Sequence, residues 1–110
     1  FPKKFRLHRA RELQSVIQFK QSLSSQLLQL YLKPNKGDFP RLGLIVARKI
    51  AQNAVRRNKL KRILREVFRL HRSKLGNNDY IFRLRNLPTG IKIVPAGIAK
   101  EAEILILKSR

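Results

Sequence analysis

The chain carries six carboxylates, Glu12, Asp38, Glu66, Asp79, Glu101 and Glu103, and two histidines, His8 and His71. General acid–base chemistry needs two such groups on one reacting bond, and a triad needs a histidine beside a nucleophile and an orienting acid. The acids are scattered, and only Glu101 and Glu103 are near each other, at a spacing that puts them on different helix faces. Neither histidine has triad-like neighbours, and His71 falls on the apolar side of its segment, as a core-edge histidine does. No glycine-rich phosphate loop and no metal-ligand spacing occurs, so neither a catalytic residue nor a metal-binding residue is expected in this chain. What is concentrated is positive charge. In "NAVRRNKLKRILREVFRLHR", residues 53–72, eight Lys or Arg residues and one His stand against the single Glu66. Side chains of that type bind anions, and arginine in particular forks onto phosphate and stacks on bases.

Composition names the kind of anion. With 26 Lys and Arg against six acids, a net charge of +20 on 110 residues and a pI near 11.8, charge goes far beyond what solubility needs and calls for a polyanion. An apolar fraction of 43% suffices for one core, so the expectation is a single folded RNA-binding domain over residues 1–110 rather than a basic disordered tail. No apolar run reaches the roughly 18–20 residues that span a bilayer, and no secretory signal pattern opens the chain. A cytoplasmic protein without a membrane partner is expected. The absence of cysteine removes disulfides, thiolate metal cages and thiol nucleophiles. The chain opens at Phe1 and contains no methionine, which points to processing or trimmed ends.

The elements that must position the charge follow from periodicity. Leu13, Val16 and Ile17 recur at helical spacing within residues 9–20. "LQLYLK", residues 28–33, alternates Leu28, Leu30 and Leu32 against Gln29, Tyr31 and Lys33, as a half-buried strand does. The turn-rich "PNKGDFP", residues 34–40, leads into the apolar strand "RLGLIVA", residues 41–47, and the two strands are expected to pair as a hairpin. After the basic helix, "GNN" at 76–78 is a stop signal and "DYIFRLR", residues 79–85, a further strand. Residues 95–108 have Ile98, Ala102 and Leu105 at helical spacing, although "EILIL" fits an extended segment equally well. The order is that of an α+β sandwich with helices over a small sheet, αβββαβα.

On a helix at 100° per residue with Leu60 at zero, Ile63, Leu64, Val67, Phe68 and His71 fall within roughly 80°, while Asn58, Arg62, Arg65 and Arg69 fall within roughly 40° of the opposite direction. Lys61 and Arg72 flank that polar stripe, and Arg56, Arg57 and Lys59 crowd the first turn, with Asn53 placed to cap it. Cations there oppose the helix macrodipole. Together with free backbone N–H groups they make a site for phosphate. A merely solvated face would interleave signs for i, i+4 pairing, which this one does not. A membrane-surface helix would need the apolar face that the core requires.

"GLIVARKIAQNAVRRNKLKRILREVFR", residues 43–69, resembles the signature of the bacterial ribonuclease P protein component: an apolar strand, two basic residues, a short loop, then an Arg-Asn-Arg and a Lys-Arg-containing helix. "FRL" at 5–7, "LQLYL" at 28–32 and "DYIFRLR" at 79–85 fall where that family has its opening segment, its leader-facing strand and its last strand, while the final twenty residues match weakly. The resemblance implies a fold like the second domain of ribosomal protein S5, with a left-handed βαβ crossover, against a rule of handedness that holds in about 98% of cases. It implies a non-catalytic protein subunit that binds the ribonuclease P RNA and the 5′ leader of precursor tRNA. Magnesium held by that RNA carries out the hydrolysis, and the protein itself needs neither a cofactor nor a protein partner. Carried over by motif, Arg57, Asn58 and Lys59 match Arg-Asn-Arg, and Lys61, Arg62 and Arg65 the basic residues after it. Arg48 and Lys49 match the basic pair at the strand end, and Arg56 and Arg69 extend the RNA-facing helix. Two positions depart from the pattern. Lys59 replaces an Arg and so lacks its planar fork. Leu13 and Ile17 stand where the family carries two aromatics of the leader cleft. Tyr31, on the polar side of its strand, is then the candidate for stacking on a leader base, with Phe19 as a substitute ring or a boundary core residue. A ribosomal or general RNA-binding protein is the alternative function, sharing the charge but not the ordered motif.

Overall fold

The computed structural model describes residues 3–47, 53–85 and 95–110. Its elements are helix α1 (Ala10–Gln18), strands β1 (Ser22–Ser24), β2 (Leu28–Pro34) and β3 (Arg41–Ile45), helix α2 (Ala54–His71), strand β4 (Asn78–Leu84) and helix α3 (Pro95–Lys108), with 3-10 turns at Lys3–Phe5 and Arg72–Lys74. The α+β order is the expected one. The strands form one sheet in the order β1-β2-β4-β3.

The expected hairpin of β2 with β3 does not form. β4 lies between them, antiparallel to β2 and parallel to β3. Burial explains the choice: Tyr80, Phe82 and Leu84 are buried on one face of β4 and Ile81 on the other, and a strand apolar on both faces is stabilised most where both are covered. Parallel pairing of β3 with β4 requires a long crossover, and α2 is that crossover. The edge strand β1 has no apolar alternation, so only its pairing with β2 reveals it.

The larger core lies between one face of the sheet and the helices α2 and α3. Leu28, Leu30, Leu32, Leu42, Tyr80, Phe82 and Leu84 pack there against Leu60, Leu64, Val67 and Phe68 of α2 and Ile98, Ala102, Leu105 and Ile106 of α3. Those α3 residues share one helical face, which decides residues 95–108 for helix over strand. At roughly 1.5–3 kcal/mol per buried apolar side chain, the four from α2 contribute roughly 6–12 kcal/mol as an upper bound. A cation in the first turn costs only about 0.3–1 kcal/mol through the macrodipole, so packing prevails over the unfavourable charge order.

Helix α1 lies on the opposite face. Leu13, Val16 and Ile17 pack with Leu7, Tyr31, Ile45 and Ile81. The helix comes so close because β3 has a glycine beneath it: a Cβ on Gly43 would stand 2.5 Å from Leu13 Cδ2, 3.2 Å from Leu7 Cβ and 3.3 Å from Ile81 Cγ1. A polar network holds the N-terminal half of α1. Arg41 donates from Nε to Asp79 Oδ1 and from Nη2 to Oδ2, both at 2.9 Å, and from Nη1 to Glu12 at 3.2 Å. Asn35 Nδ2 donates to the same Asp79 at 3.0 Å, and Lys33 Nζ to Ser15 Oγ at 2.6 Å. At its C-terminal end α1 closes with Lys20 in the left-handed region, φ 62°, its N–H donating to Ile17. Before α1, the N-terminal segment is pinned to the far end of α2, where the Arg72 guanidinium lies 3.8 Å above the Phe5 ring.

Candidate nucleic-acid interface

Asn53 caps α2 as its type predicts. Its Oδ1 accepts from the N–H of Val55 at 2.8 Å and of Arg56 at 3.3 Å, and its carbonyl accepts from Arg57 at 3.0 Å. This corrects one expectation: the amides of residues 55–57 already have intramolecular acceptors, so an anion at this end meets side chains rather than backbone. Arg56, Asn58, Lys59, Arg62 and Arg69 are exposed, and Arg57, Lys61 and Arg65 are half-buried. Arg69 pairs with Glu66 at 2.6 Å one turn away; this contact lowers the Glu66 pKa and raises that of Arg69. Arg48 and Lys49 lie outside the described residues.

Arg65 departs from the expected outward orientation. It turns into a cavity of about 230 Å³ at the β3 edge of the sheet, lined by Arg6, Leu7, His8, Leu13, Leu42, Leu44, Lys61 and Arg65. The N-terminal segment closes one side of it by bridging Arg6 to Leu42, the Leu7 amide donating to the Leu42 carbonyl at 2.8 Å. Desolvation, then the like charge of Arg6, pushes the Arg65 guanidinium below its usual pKa range. Two arginines and a lysine around one hollow form an arrangement that an anion stabilises, because it supplies the charge the cavity lacks. Arg6 and His8 carried no sequence signal for this role, since only the bridge to β3 brings them beside α2.

The α1 face of the sheet carries the second part of the site. Strand register sets its side chains in rungs: Lys33, Asp79 and Arg41; Ser22, Tyr31, Ile81 and Gly43; Ser24, Gln29, Arg83 and Ile45. α1 packs on the first two rungs through Glu12, Ser15 and Leu13. In the third rung Ser24 and Arg83 are exposed, and Gln29 and Ile45 are half-buried. Tyr31 corrects the sequence reading. It shares the phase of Gln29 and Lys33, but that phase is not the solvent side: its ring is 8% exposed beneath α1, and its hydroxyl accepts from Arg83 Nη1 at 3.4 Å. No open ring face remains there for a base. Phe19 is 48% exposed at the end of α1 and lines a hollow with Arg11, Gln14, Ser15, Gln18 and Lys33. An exposed surface ring replaces the expected boundary core residue.

Most of the carboxylates are engaged in holding the fold. Glu12 and Asp79 bind Arg41, Glu66 binds Arg69, and Glu101 accepts from Ser25 Oγ and the Leu27 amide. His71 sits at the core edge as expected, its Nδ1 2.9 Å from the Val67 carbonyl and its Nε2 3.9 Å from Glu103. Among the described residues no three acidic, histidine or cysteine side chains converge as a metal site, and no helix is long and apolar enough to cross a membrane.

Comparison with known proteins agrees with this geometry. The Ribonuclease P family profile matches residues 1–106. The chain belongs to the Ribonuclease P protein family. It is 41% identical over 85 residues to the ribonuclease P protein component of Nitrosomonas europaea, covering 77% of this chain and 71% of that one. The component from Methylococcus capsulatus is 36% identical over 110 residues, covering all of this chain and 86% of the other. In structure, the chain superposes on the Staphylococcus aureus RNase P protein with a TM-score of 0.84 at 28% identity, covering 96% and 95% of the two chains. The Thermotoga maritima RNase P protein gives 0.77 at 26% identity, over 94% and 96%. The helices and sheet that carry the α2 ridge, the cavity and the α1 face thus have the fold of these RNase P proteins.

Proposed function

We propose that this chain is the non-catalytic protein subunit of ribonuclease P, acting as one RNA-binding domain in the cytoplasm without a further protein partner. Arg56, Arg57, Lys59, Lys61, Arg62, Arg65 and Arg69, with Arg48 and Lys49 of the same sequence motif, neutralise phosphates of the catalytic RNA, and Asn58 hydrogen-bonds to it. The sheet face beside α1, with Tyr31 as part of its floor and Phe19 at its rim, holds the extended 5′ leader of precursor tRNA. Hydrolysis of the phosphodiester at the mature 5′ end is assigned to magnesium ions held by the RNA. The protein raises substrate affinity and, by relieving RNA self-repulsion, lowers the magnesium needed.

The observation that carries this reading is the placing of the cations: ridge and cavity both draw on α2, and the cavity is also lined by Leu7 and by Leu13 of α1, so it joins the α2 cations to the α1 face. A folded RNA docked on the first is brought beside a single strand lying on the second. The test is reconstitution. The purified chain is mixed with the catalytic RNA and a leader-bearing precursor tRNA at low magnesium, and cleavage at the mature 5′ end is followed. Cleavage that depends on both protein and RNA is the expected result. Binding to every RNA tested without site-specific cleavage would instead identify a general or ribosomal RNA-binding protein, and cleavage by the protein alone would overturn the assignment of the chemistry.

A further inference from the structure

Arg83 is an unusual side chain for its position. β4 is an interior strand, flanked by β2 and β3, and its other inward and outward residues from Asp79 to Leu84 are buried. Arg83 alone in that run is exposed. It stands in the open third rung between Gln29 and Ile45. No carboxylate among the described residues pairs with it. Among the described residues its one partner is the Tyr31 hydroxyl, a long contact at 3.4 Å made by Nη1, which leaves Nε and Nη2 uncommitted there. A guanidinium in mid-sheet contributes no cross-strand pairing and costs β-propensity relative to a β-branched residue, so the fold itself does not call for it.

Its surroundings distinguish between two anion-like targets. Tracking a phosphate backbone takes repeated cations, and those lie elsewhere: Arg11, Lys33 and Lys36 line hollows along α1, and Arg6, Lys61 and Arg65 the cavity at the β3 edge. The open rung offers a single cation among neutral groups, Ser24, Gln29 and Ile45, and the next cation along the chain, Arg85, is committed through Nη1 to the Ser25 carbonyl at 2.7 Å. A single strand laid on a sheet turns its bases toward the sheet and its phosphates to solvent and the rim. What meets Arg83 is therefore a base. A planar two-donor fork finds two acceptors side by side on guanine, at O6 and N7, and on the unpaired Watson–Crick edge of cytosine, at O2 and N3, but on no edge of adenine or uracil.

We infer that Arg83 is a specificity-determining residue that reads a base with two adjacent acceptors, guanine or cytosine, in the 5′ leader through a two-donor contact, in place of the ring stacking that buried Tyr31 and aliphatic residues 13 and 17 do not provide. This rests on the proposed leader-binding role of the α1 face. The Tyr31 hydroxyl orients the fork by holding Nη1. The residue acts on substrate selection and touches no reacting atom.

The experiment uses the holoenzyme reconstituted from the full chain and the catalytic RNA. Precursor tRNAs carry a uridine leader with one guanosine, or in a second series one cytidine, moved through successive positions, and Kd is measured for each. One position in one series is expected to bind roughly 5- to 150-fold tighter than the rest. Substituting 7-deazaguanosine for a preferred guanosine, or 3-deazacytidine for a preferred cytidine, abolishes the gain, an arm that requires no protein variant. Arg83→Lys keeps the charge but not the fork, and flattens the profile. Because the profile is a ratio among leaders for one protein, it is insensitive to how much of a variant folds. A flat profile in both series in the wild type, or a preference that survives Arg83→Lys, overturns the inference. So does a loss uniform over all leaders in Arg83→Ala that Lys restores, since that marks a phosphate contact. Absence of any protein-dependent cleavage overturns the proposed function instead, and so is told apart from failure of the Arg83 assignment.

Discussion

Asp79→Ala is the substitution that best tests how α1 is held over the sheet. Asp79 is the one buried charged residue of the described core, and its carboxylate accepts both arms of the Arg41 fork and the Asn35 amide, at 2.9, 2.9 and 3.0 Å. Deleting one member of a buried pair costs about 3–5 kcal/mol, mostly because the other charge is left unpaired. Here the remaining charge is less stranded: the Arg41 side chain is 32% exposed and keeps Glu12 at 3.2 Å. The expectation therefore falls below that range, at about 2–3 kcal/mol. For a chain of this length that is a fall in Tm of about 8–12 °C. Glu12→Gln, which removes only the outer arm, is expected to cost about 0–1 kcal/mol. Urea and thermal unfolding followed by circular dichroism read both variants. A Tm within about 2 °C of the parent for Asp79→Ala, or equal losses for the two variants, would refute the claim that the fork is the anchor and Glu12 an accessory.

Gly43→Ala is expected to destabilise by about 1–3 kcal/mol through the Leu13 contact, and Leu13→Ala in the same chain should recover at least half of that, a coupling read by a double-mutant cycle on urea midpoints. Asn53→Ala should cost about 0.5–2 kcal/mol in the same assay, because the amides of Val55 and Arg56 lose their acceptor. Arg62→Ala and Arg65→Ala should each flatten the log–log salt dependence of RNA affinity by about 0.7–0.9. They differ in the free protein: Arg65 is desolvated and repelled by Arg6, so its removal leaves Tm level or higher, whereas a fall in Tm would show that the guanidinium is favourably placed without RNA.

Sequence carried the parts of this fold that rest on one-dimensional periodicity. The apolar stripe of α2 and the alternation of β2 appear in the structure where spacing put them, and residues 95–108, which spacing left open between helix and strand, are a helix. What it could not carry is pairing. Nothing local in residues 28–47 tells that β4, more than thirty residues on, will separate β2 from β3; the preference comes from burying both faces of β4. The same blindness affected the site. Tyr31 reads as polar-side because its neighbours in phase are Gln29 and Lys33, yet α1 covers its rung and not theirs equally. Arg65 reads as outward because an isolated helix has no Arg6 beside it. Arg83 and Gly43 acquire meaning only from register, which sets one in the open rung and the other under Leu13.

One consequence joins the folding of the chain to its charge. A surplus of +20 opposes compaction, and the few acids are placed where they oppose it most effectively. Glu12 and Asp79 sit at the inner end of α1, Glu101 ties α3 to the turn before β2 through Ser25 and Leu27, and Glu66 pairs within α2. None of these acids lines the cavity of Arg6, His8, Lys61 and Arg65. None stands on the rung of Arg83. Glu12, Asp79 and Glu101 therefore stabilise joints between helices and sheet and Glu66 a pair along α2, while the cavity and the Arg83 rung keep a positive field. A carboxylate moved into either surface would improve the free protein's electrostatics and weaken its hold on RNA, so the distribution of the acids follows from binding a polyanion rather than from folding alone.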